Sequence, residues 1–322
     1  MKVPFISLVV VNYNGEDIIR PCLNSLLKVD YPKNSYEIII VDNASTDKSI
    51  SIIKSFSRVK IIRNKNNMGY VGVNSCLSEI KGKYIFILNN DLEMEKKCLK
   101  KLVEVIEKDN TIGTVVPKFV NFYSRNIESS GTWVSRAFYN GHYADKGEKQ
   151  KLKEIPYLGI EMIRADIAKK FGYIYDPDYF IYAEDLDLGL RFRLLGYKTV
   201  FVPDAIIYHM HAVTTKRSKS YKMTFLLERN LLMTFFKILS VKSILLWMPY
   251  VFFMRFAAIT LDLIRLNFMN IFARIFAILW IIFNIGKVYK KRKEVQRFRK
   301  AKDSYILRVF TEKYLFKRKF IV

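Results

Sequence analysis

Cysteine, histidine, glycine and proline are all scarce in this chain: 322 residues hold 3 Cys, 3 His, 13 Gly and 8 Pro. Cys22, Cys76 and Cys98 are too few and too scattered for a zinc site or a disulfide framework, and they point to a reduced, cytosolic compartment. No GxGxxG follows the first apolar run and no GxxxxGK[ST] occurs, so neither a Rossmann dinucleotide site nor a P-loop is supported. Any nucleotide bound here must be held by side chains and a metal. Long apolar runs are missing too: between Tyr221 and Tyr289 the longest charge-free stretches, Ser243 to Met254 and Ile275 to Gly286, have 12 residues each, against about 20 for a bilayer crossing. Met1 to Val11 carries one Lys and passes into Asn12-Tyr13-Asn14 with no small-residue cleavage site, so it reads as a first strand and not as a signal peptide. Acidic residues are short: 54 Lys and Arg face 30 Asp and Glu, a net +24. Residues 211–322 account for +19 of it, with 24 basic and 5 acidic, leaving +5 for residues 1–210. That asymmetry predicts a near-balanced N-terminal part and a basic C-terminal part facing an anionic surface.

What is present is a repeated scheme of apolar run, Asn or Asp cluster, then helical spacing. Ser7 to Val11 ends at Asn12 and Asn14, and helix-spaced apolar residues follow from Asp17 to Leu27. Glu37 to Val41 ends at Asp42-Asn43-Ala44-Ser45-Thr46-Asp47, ahead of Ile50, Ile53 and Phe56. Val59 to Ile62 precedes a polar stretch and a predicted helix over Gly69–Ile80. Tyr84 to Leu88 then runs into Asn89-Asn90-Asp91. This alternation predicts a largely parallel sheet with right-handed crossovers. Its polar strand tips would share one edge, where open α/β sheets bind ligands. Each cluster has an alternative reading as a helix N-cap, including Asp91 before a helix starting after Leu92.

Residues 117–155 lose periodicity, as functional or disordered loops do. Order returns with a strand at Tyr157 to Ile163 and a short helix at Ala165 to Phe171, ended by Gly172. Glu184, Asp185 and Asp187 then crowd the start of a helix with an apolar face of Leu186, Leu190, Leu194 and Leu195. A helix dipole favours acids in a first turn. Three in four residues exceed that need, and crowded carboxylates move toward general-base range. His209 and His211 fall on one face of a further strand, as structural residues or as ligands. From Tyr221 to Tyr289 the chain is apolar and helical in period. Its Arg spacing, its aromatic residues Trp247, Tyr250, Trp280 and Tyr289, and the Lys/Arg cluster over Lys287–Lys302 fit amphipathic helices lying on a membrane surface. A helical core or oligomer contact is the alternative.

Five motifs occur here in the order seen in inverting glycosyltransferases of family 2: Asn12-Tyr13-Asn14-Gly15, Val41 to Asp47, Asn67-Met68-Gly69-Tyr70, Leu88-Asn89-Asn90-Asp91 and Tyr182 to Leu188. The chain resembles that family over about residues 5–215, and its rhamnosyltransferase-like branch most. The resemblance implies a GT-A catalytic domain over 1–215, a mixed, mostly parallel α/β sheet flanked by helices. Residues 216–322 would serve membrane association or oligomerisation. It implies transfer of a sugar from a UDP-, dTDP- or GDP-linked donor to a hydroxyl of a lipid-linked or cell-surface glycan, at the cytoplasmic face of the cell membrane, with no nucleic-acid partner. Asp185 would be the catalytic base with Glu184 beside it. Asn12, Asn14, Asp42, Asn67, Gly69, Asn89 and Asn90 would line the donor site, with Asp42 at the nucleobase. Asp91, the last residue of the family's DxD motif, would bind Mg²⁺ or Mn²⁺, with His209 completing the site. The first DxD position is Asn89 here, and His211 has no clear counterpart. Two competing expectations are a non-catalytic basic protein binding membrane or nucleic acid, and a nucleotidyltransferase. The second lacks the Gly-rich, Lys- or Arg-bearing phosphate loop it would need.

Overall fold

The computed structural model describes residues 3–143, 151–157, 159–210 and 221–311. His211 and the boundary at 215/216 lie outside them. Strand β1 (Ile6–Asn12) leads to helix α1 (Ile19–Leu27), β2 (Tyr36–Asp42) to α2 (Ser49–Lys54), and β3 (Val59–Arg63) to a 3₁₀ segment over Gly69–Glu79. β4 (Tyr84–Asn89) is followed by the short strand β5 (Leu92–Met94) and then α3 (Cys98–Lys108). β1 pairs in parallel with both β2 and β4, and β2 with β3. Their alternating residues divide between two cores. Leu8, Val10, Phe86 and Leu88 pack with α1 and α3, while Val9, Val11, Ile85 and Ile87 pack on the opposite face. Burial on both faces explains the uninterrupted apolar runs.

Beyond β4 the sheet becomes mixed. β11 (Glu161–Arg164) sits antiparallel between β4 and β6 (Ile112–Asn121), and β12 (Lys198–His209) pairs in parallel with β6. β7 (Ile127–Ser129) and β10 (Lys153–Ile155) add to β6 and β12, while β8 (Thr132–Val134) and β9 (Asn140–His142) form a separate hairpin. The helix expected over Gly69–Ile80 is 3₁₀ and not α. Gly69, Gly72 and Ser75 recur at three-residue spacing, which eclipses at three residues per turn, and Ser75 Oγ donates to the Gly72 carbonyl at 2.9 Å. Likewise the helix expected after Leu92 is a strand, because Leu92 and Met94 pair with His209 and Ile207 of β12. The short helix α4 (Ala165–Phe171) ends as expected at Gly172, whose φ of 80° needs no Cβ there.

Helix α5 (Glu184–Leu194) is buried along nearly its whole length. It is covered by α6 (Tyr221–Ile238), which leads into α7 (Val241–Ile264), α8 (Phe268–Phe283), α9 (Ile285–Gln296) and α10 (Asp303–Leu307). Leu186 and Leu190 of α5, Leu232 and Phe235 of α6, Val251 of α7 and Ile281 of α8 belong to one continuous core with the sheet. With 24 residues, α7 is about 36 Å long and is long and apolar enough to cross a membrane. Counting charge-free residues understated it, because Arg255 turns inward. Arg255 is 1% exposed, donates to the Ala137 carbonyl at 2.8 Å and pairs with Glu228 at 3.4 Å. Outward, α7 and α8 present Leu246, Phe253, Phe256, Phe272, Phe276 and Phe283 to the surroundings. Trp247 and Trp280 instead pack partly inward, beneath the guanidinium groups of Arg136 and Arg229.

Candidate active site at the strand tips

The tips of β1, β2 and β4 are welded by side chains. Asn12 is fully buried, and its Nδ2 lies within hydrogen-bond reach of Asp42 Oδ1 (3.0 Å), Ser45 Oγ (3.1 Å) and Ser49 Oγ (3.1 Å), while its Oδ1 accepts from Asn90 Nδ2 at 2.9 Å. Asp42 is also fully buried and accepts from Ser45 N and Oγ, with the half-exposed Arg63 at 3.5 Å. Both side chains are therefore closed off from solvent and brace the strand tips. Asn14, exposed and left-handed at φ 48°, accepts from Thr46 N at 2.9 Å and ties the first loop to the second. Asn43 Nδ2 donates to the Gly69 carbonyl at 2.7 Å and its Oδ1 accepts from Asn64. Asn67 Oδ1 caps Gly69 N at 2.9 Å. Gly69, at φ 64°, has no room for a side chain, since a Cβ would overlap the Phe180 carbonyl. Asn89 is the half-buried last residue of β4.

The β5–β12 pairing explains how Asp91 meets a residue 118 positions away. Leu92 is in register with His209, and Met210 N donates to the Asp91 carbonyl at 2.8 Å. His209 Nε2 thus stands 3.2 Å from Asp91 Oδ2, and its Nδ1 stands 3.3 Å from Glu128 Oε2. Glu128 is in turn held by Asn121 Nδ2 at 2.7 Å. Burial alone would lower the His209 pKa, but the bond to Asp91 and the charges of Asp91 and Glu128 raise it above its ordinary value. Two carboxylates flanking one imidazole call for positive charge, which a bound cation would supply in place of the imidazolium proton. Asp91 Oδ1 is buried with no hydrogen-bond partner, the condition expected of a carboxylate oxygen awaiting a cation. Asp91 and His209 suit Mg²⁺ or Mn²⁺ as a partial ligand set. No group of three His, Cys, Asp or Glu side chains able to hold a metal occurs among the described residues. Glu128 was invisible to the sequence reading because it falls in the aperiodic stretch after residue 117.

Opposite stands the start of α5. Asp185 Oδ1 accepts from Leu186 N at 2.7 Å, and its Oδ2 approaches Gly159, where an added Cβ would lie 3.2 Å away. Burial raises the Asp185 pKa to about 6 against the pull of its backbone hydrogen bonds. Glu184, buried with Oε2 unpartnered, is pushed well above its usual range by burial and by Asp185. Glu161 of β11, fully buried, is raised for the same two reasons. Asp187 differs. It pairs with Arg191 at 2.8 Å and Lys237 at 2.6 Å, both fully buried contacts, and so serves the fold. Tyr70 connects the two ends of the groove: after burial, Asp91, Glu184 and Asp185 are the charges that raise its phenol.

Comparison with known proteins agrees with this architecture. Residues 7–172 match the Glycosyl transferase family 2 domain. Over 230 residues the chain is 28% identical to a probable glycosyltransferase, YdaM, of Bacillus subtilis, covering 67% of this chain and 53% of that protein. Over 214 residues it is 25% identical to a dolichyl N-acetyl-alpha-D-glucosaminyl phosphate 3-beta-D-2,3-diacetamido-2,3-dideoxy-beta-D-glucuronosyltransferase of Methanococcus voltae, covering 63% and 65%. The matched stretch thus spans about half to two thirds of these relatives. Among solved structures, GalNAc-T7 with UDP, GalNAc and Mn²⁺ superposes at TM-score 0.59 and 20% identity over 72% of this chain and 48% of that one. S. aureus TarS 1-349 with UDP-GlcNAc superposes at TM-score 0.56 and 20% identity over 73% and 67%. Both likenesses concern the GT-A-like fold.

Proposed function

The chain belongs to glycosyl transferase family 2, and from that premise we propose that it moves a hexosyl or deoxyhexosyl group from a nucleotide-diphosphate sugar to a hydroxyl of a lipid-linked or cell-surface glycan, with inversion. The observation that carries the reading is Asp185: a carboxylate with one oxygen fixed by Leu186 N, the other over the open Gly159, and a pKa near 6. At neutral pH such a group is ionised and still basic enough to take a proton. The acceptor hydroxyl gives its proton to Asp185 as its oxygen attacks the anomeric carbon. The bond to the diphosphate breaks on the opposite face, and its electron pair leaves with the nucleoside diphosphate. Glu184, whose carboxyl is pushed up by burial and by Asp185, lies beside the acceptor path.

On the donor side, Asn12, Asp42 and Asn90 set the floor, Asn14, Asn67, Gly69 and Asn89 line the rim, and Asp42 with Arg63 marks the nucleobase end. Asp91 and His209 would hold Mg²⁺ or Mn²⁺, with Glu128 orienting the imidazole; when bound, the cation neutralises charge on the leaving diphosphate. Residues 1–215 form the catalytic domain in this reading and 216–322 the helices that attach it to the cytoplasmic leaflet, with the outward Phe and Leu side chains of α7 and α8 in lipid and the exposed Lys290 and Lys293 of α9 at the headgroups. The rhamnosyltransferase-like branch supplies the first candidate donors, and the UDP held by TarS and GalNAc-T7 the first candidate nucleotide.

Thermal-shift titration of the full chain with UDP-, dTDP- and GDP-sugars, with and without Mn²⁺, tests this. A ligand at a hundred times its Kd stabilises the native state by about 2.7 kcal/mol. One nucleotide series should raise the melting temperature only when Mn²⁺ is present, and no shift with any series would overturn the reading.

A further inference from the structure

The backbone leading to Asp185 is strained. Phe180, Tyr182 and Ala183 adopt φ of 64°, 71° and 60°, three left-handed non-glycine residues within four positions. Each such residue is disfavoured and persists only where its surroundings over-determine it. Much of what over-determines it here lies about fifty residues further along the chain, on α6. Asn230, fully buried, points Nδ2 at the carbonyls of Tyr179 (3.2 Å), Ile181 (3.1 Å) and Tyr182 (2.7 Å). Its Oδ1 accepts from Arg229 Nη2 at 2.7 Å, and the same guanidinium donates to the Asp178 carbonyl at 2.7 Å. From the other side, Tyr70 N donates to the Phe180 carbonyl at 2.9 Å.

We propose that Asn230 is a positioning residue for the transfer reaction, and that its fan of hydrogen bonds holds the strained turn which aims Asp185 at the acceptor. The proposal rests on the base assignment above. The shortest bond in the fan goes to Tyr182, two residues before the helix that carries the base. Without a donor there, the 182–183 peptide is released from the left-handed region, and the first turn of α5 swings with it. A displacement of about 1 Å at a reacting group costs on the order of a hundredfold in rate. The donor side should keep its shape: Asn12, Asp42, Asp91 and His209 share no contact with Asn230, and Gly69, which touches the turn at the Phe180 carbonyl, is held independently by Asn43 Nδ2 and Asn67 Oδ1. Docking of α6 itself is secured separately, by Lys237 between Asp176 and Asp187 at 2.6 Å each.

Asn230→Leu in the full chain removes both donors at nearly constant volume. We expect kcat to fall roughly a hundredfold, UDP-sugar and Mn²⁺ binding by thermal shift to stay within twofold, and the acid limb of the kcat profile to move away from pH 6. Arg229→Lys, which keeps the charge but loses the reach to Asp178, should give a smaller loss of the same kind if the first variant does not fold. Asn230→Gln, which restores a donor amide, should recover part of kcat. A folded Asn230→Leu with wild-type kcat overturns the proposal. So does a loss of kcat matched by an equal loss of donor affinity, since that reports general distortion. Asp185→Asn run in parallel separates the two ideas: if it retains turnover, the base assignment has failed, whereas if it is dead while Asn230→Leu is unaffected, only the positioning role has.

Discussion

Replacing Asp185 by Asn should make the protein more stable and less active at once, and the size of both effects follows from where the carboxylate sits. Burial raises its pKa from an ordinary 3.8 to about 6. The folded state therefore holds this proton more tightly than the unfolded chain does. Stability from this group is fully present below pH 4 and is lost as pH climbs through 6, because the unfolded state then binds fewer protons. A shift of about two units corresponds to about 3 kcal/mol, reached above pH 7. An Asn of the same shape never ionises and escapes that cost. In a chain of this size the gain is about 5 °C in melting temperature, provided the amide can still accept from Leu186 N. Calorimetry at pH 5 and pH 8 should therefore show the variant ahead of wild type at both, by about half as much at the lower pH. Turnover at pH 8 should drop by about 10²–10⁴-fold, the usual contribution of a general base. Equal stability of the two proteins at pH 8, or turnover within tenfold of wild type, would refute the reasoning.

Three other outcomes follow from geometry already described. Glu128→Gln removes the charge behind His209 Nδ1, so Mn²⁺ affinity measured by EPR in the presence of UDP should weaken about 10–100-fold, while Asp91→Asn should lose binding altogether. Gly69→Ala places a methyl on the Phe180 carbonyl at a backbone conformation suited to glycine; a melting temperature and kcat both unchanged would show that this close approach is not real. Phe256→Ser with Phe276→Ser, both outward-facing, should reduce flotation with anionic vesicles without lowering turnover on a soluble acceptor.

The strand-and-tip pattern of the first 90 residues was legible because burial on both sheet faces leaves continuous apolar runs, and the polar tips of β1, β2 and β4 do share one edge. Asp91 and His209 were paired by family resemblance, and their meeting depends on β5, three residues too short to stand out in any periodicity. Other features left no local trace. Phe180, Tyr182 and Ala183 carry no glycine to announce their left-handed turn, since its cause lies on α6. Arg255 looked like a break in an apolar run because its partners, the Ala137 carbonyl and Glu228, are distant along the chain. Asn12 and Asp42 are both buried and hydrogen-bonded to each other at the strand tips, a depth that residue type alone does not announce.

Helix α6 answers to two neighbourhoods. Glu228 on it joins Arg255 and Arg274 among the outer helices, and Asn230, two residues later, faces the turn that leads to Asp185, the proposed base. A lineage altering its outer helices therefore cannot do so freely. Each change that tilts α6 should also move the turn before Asp185, and compensating substitutions should accumulate around residues 228–237 before they reach the strand tips.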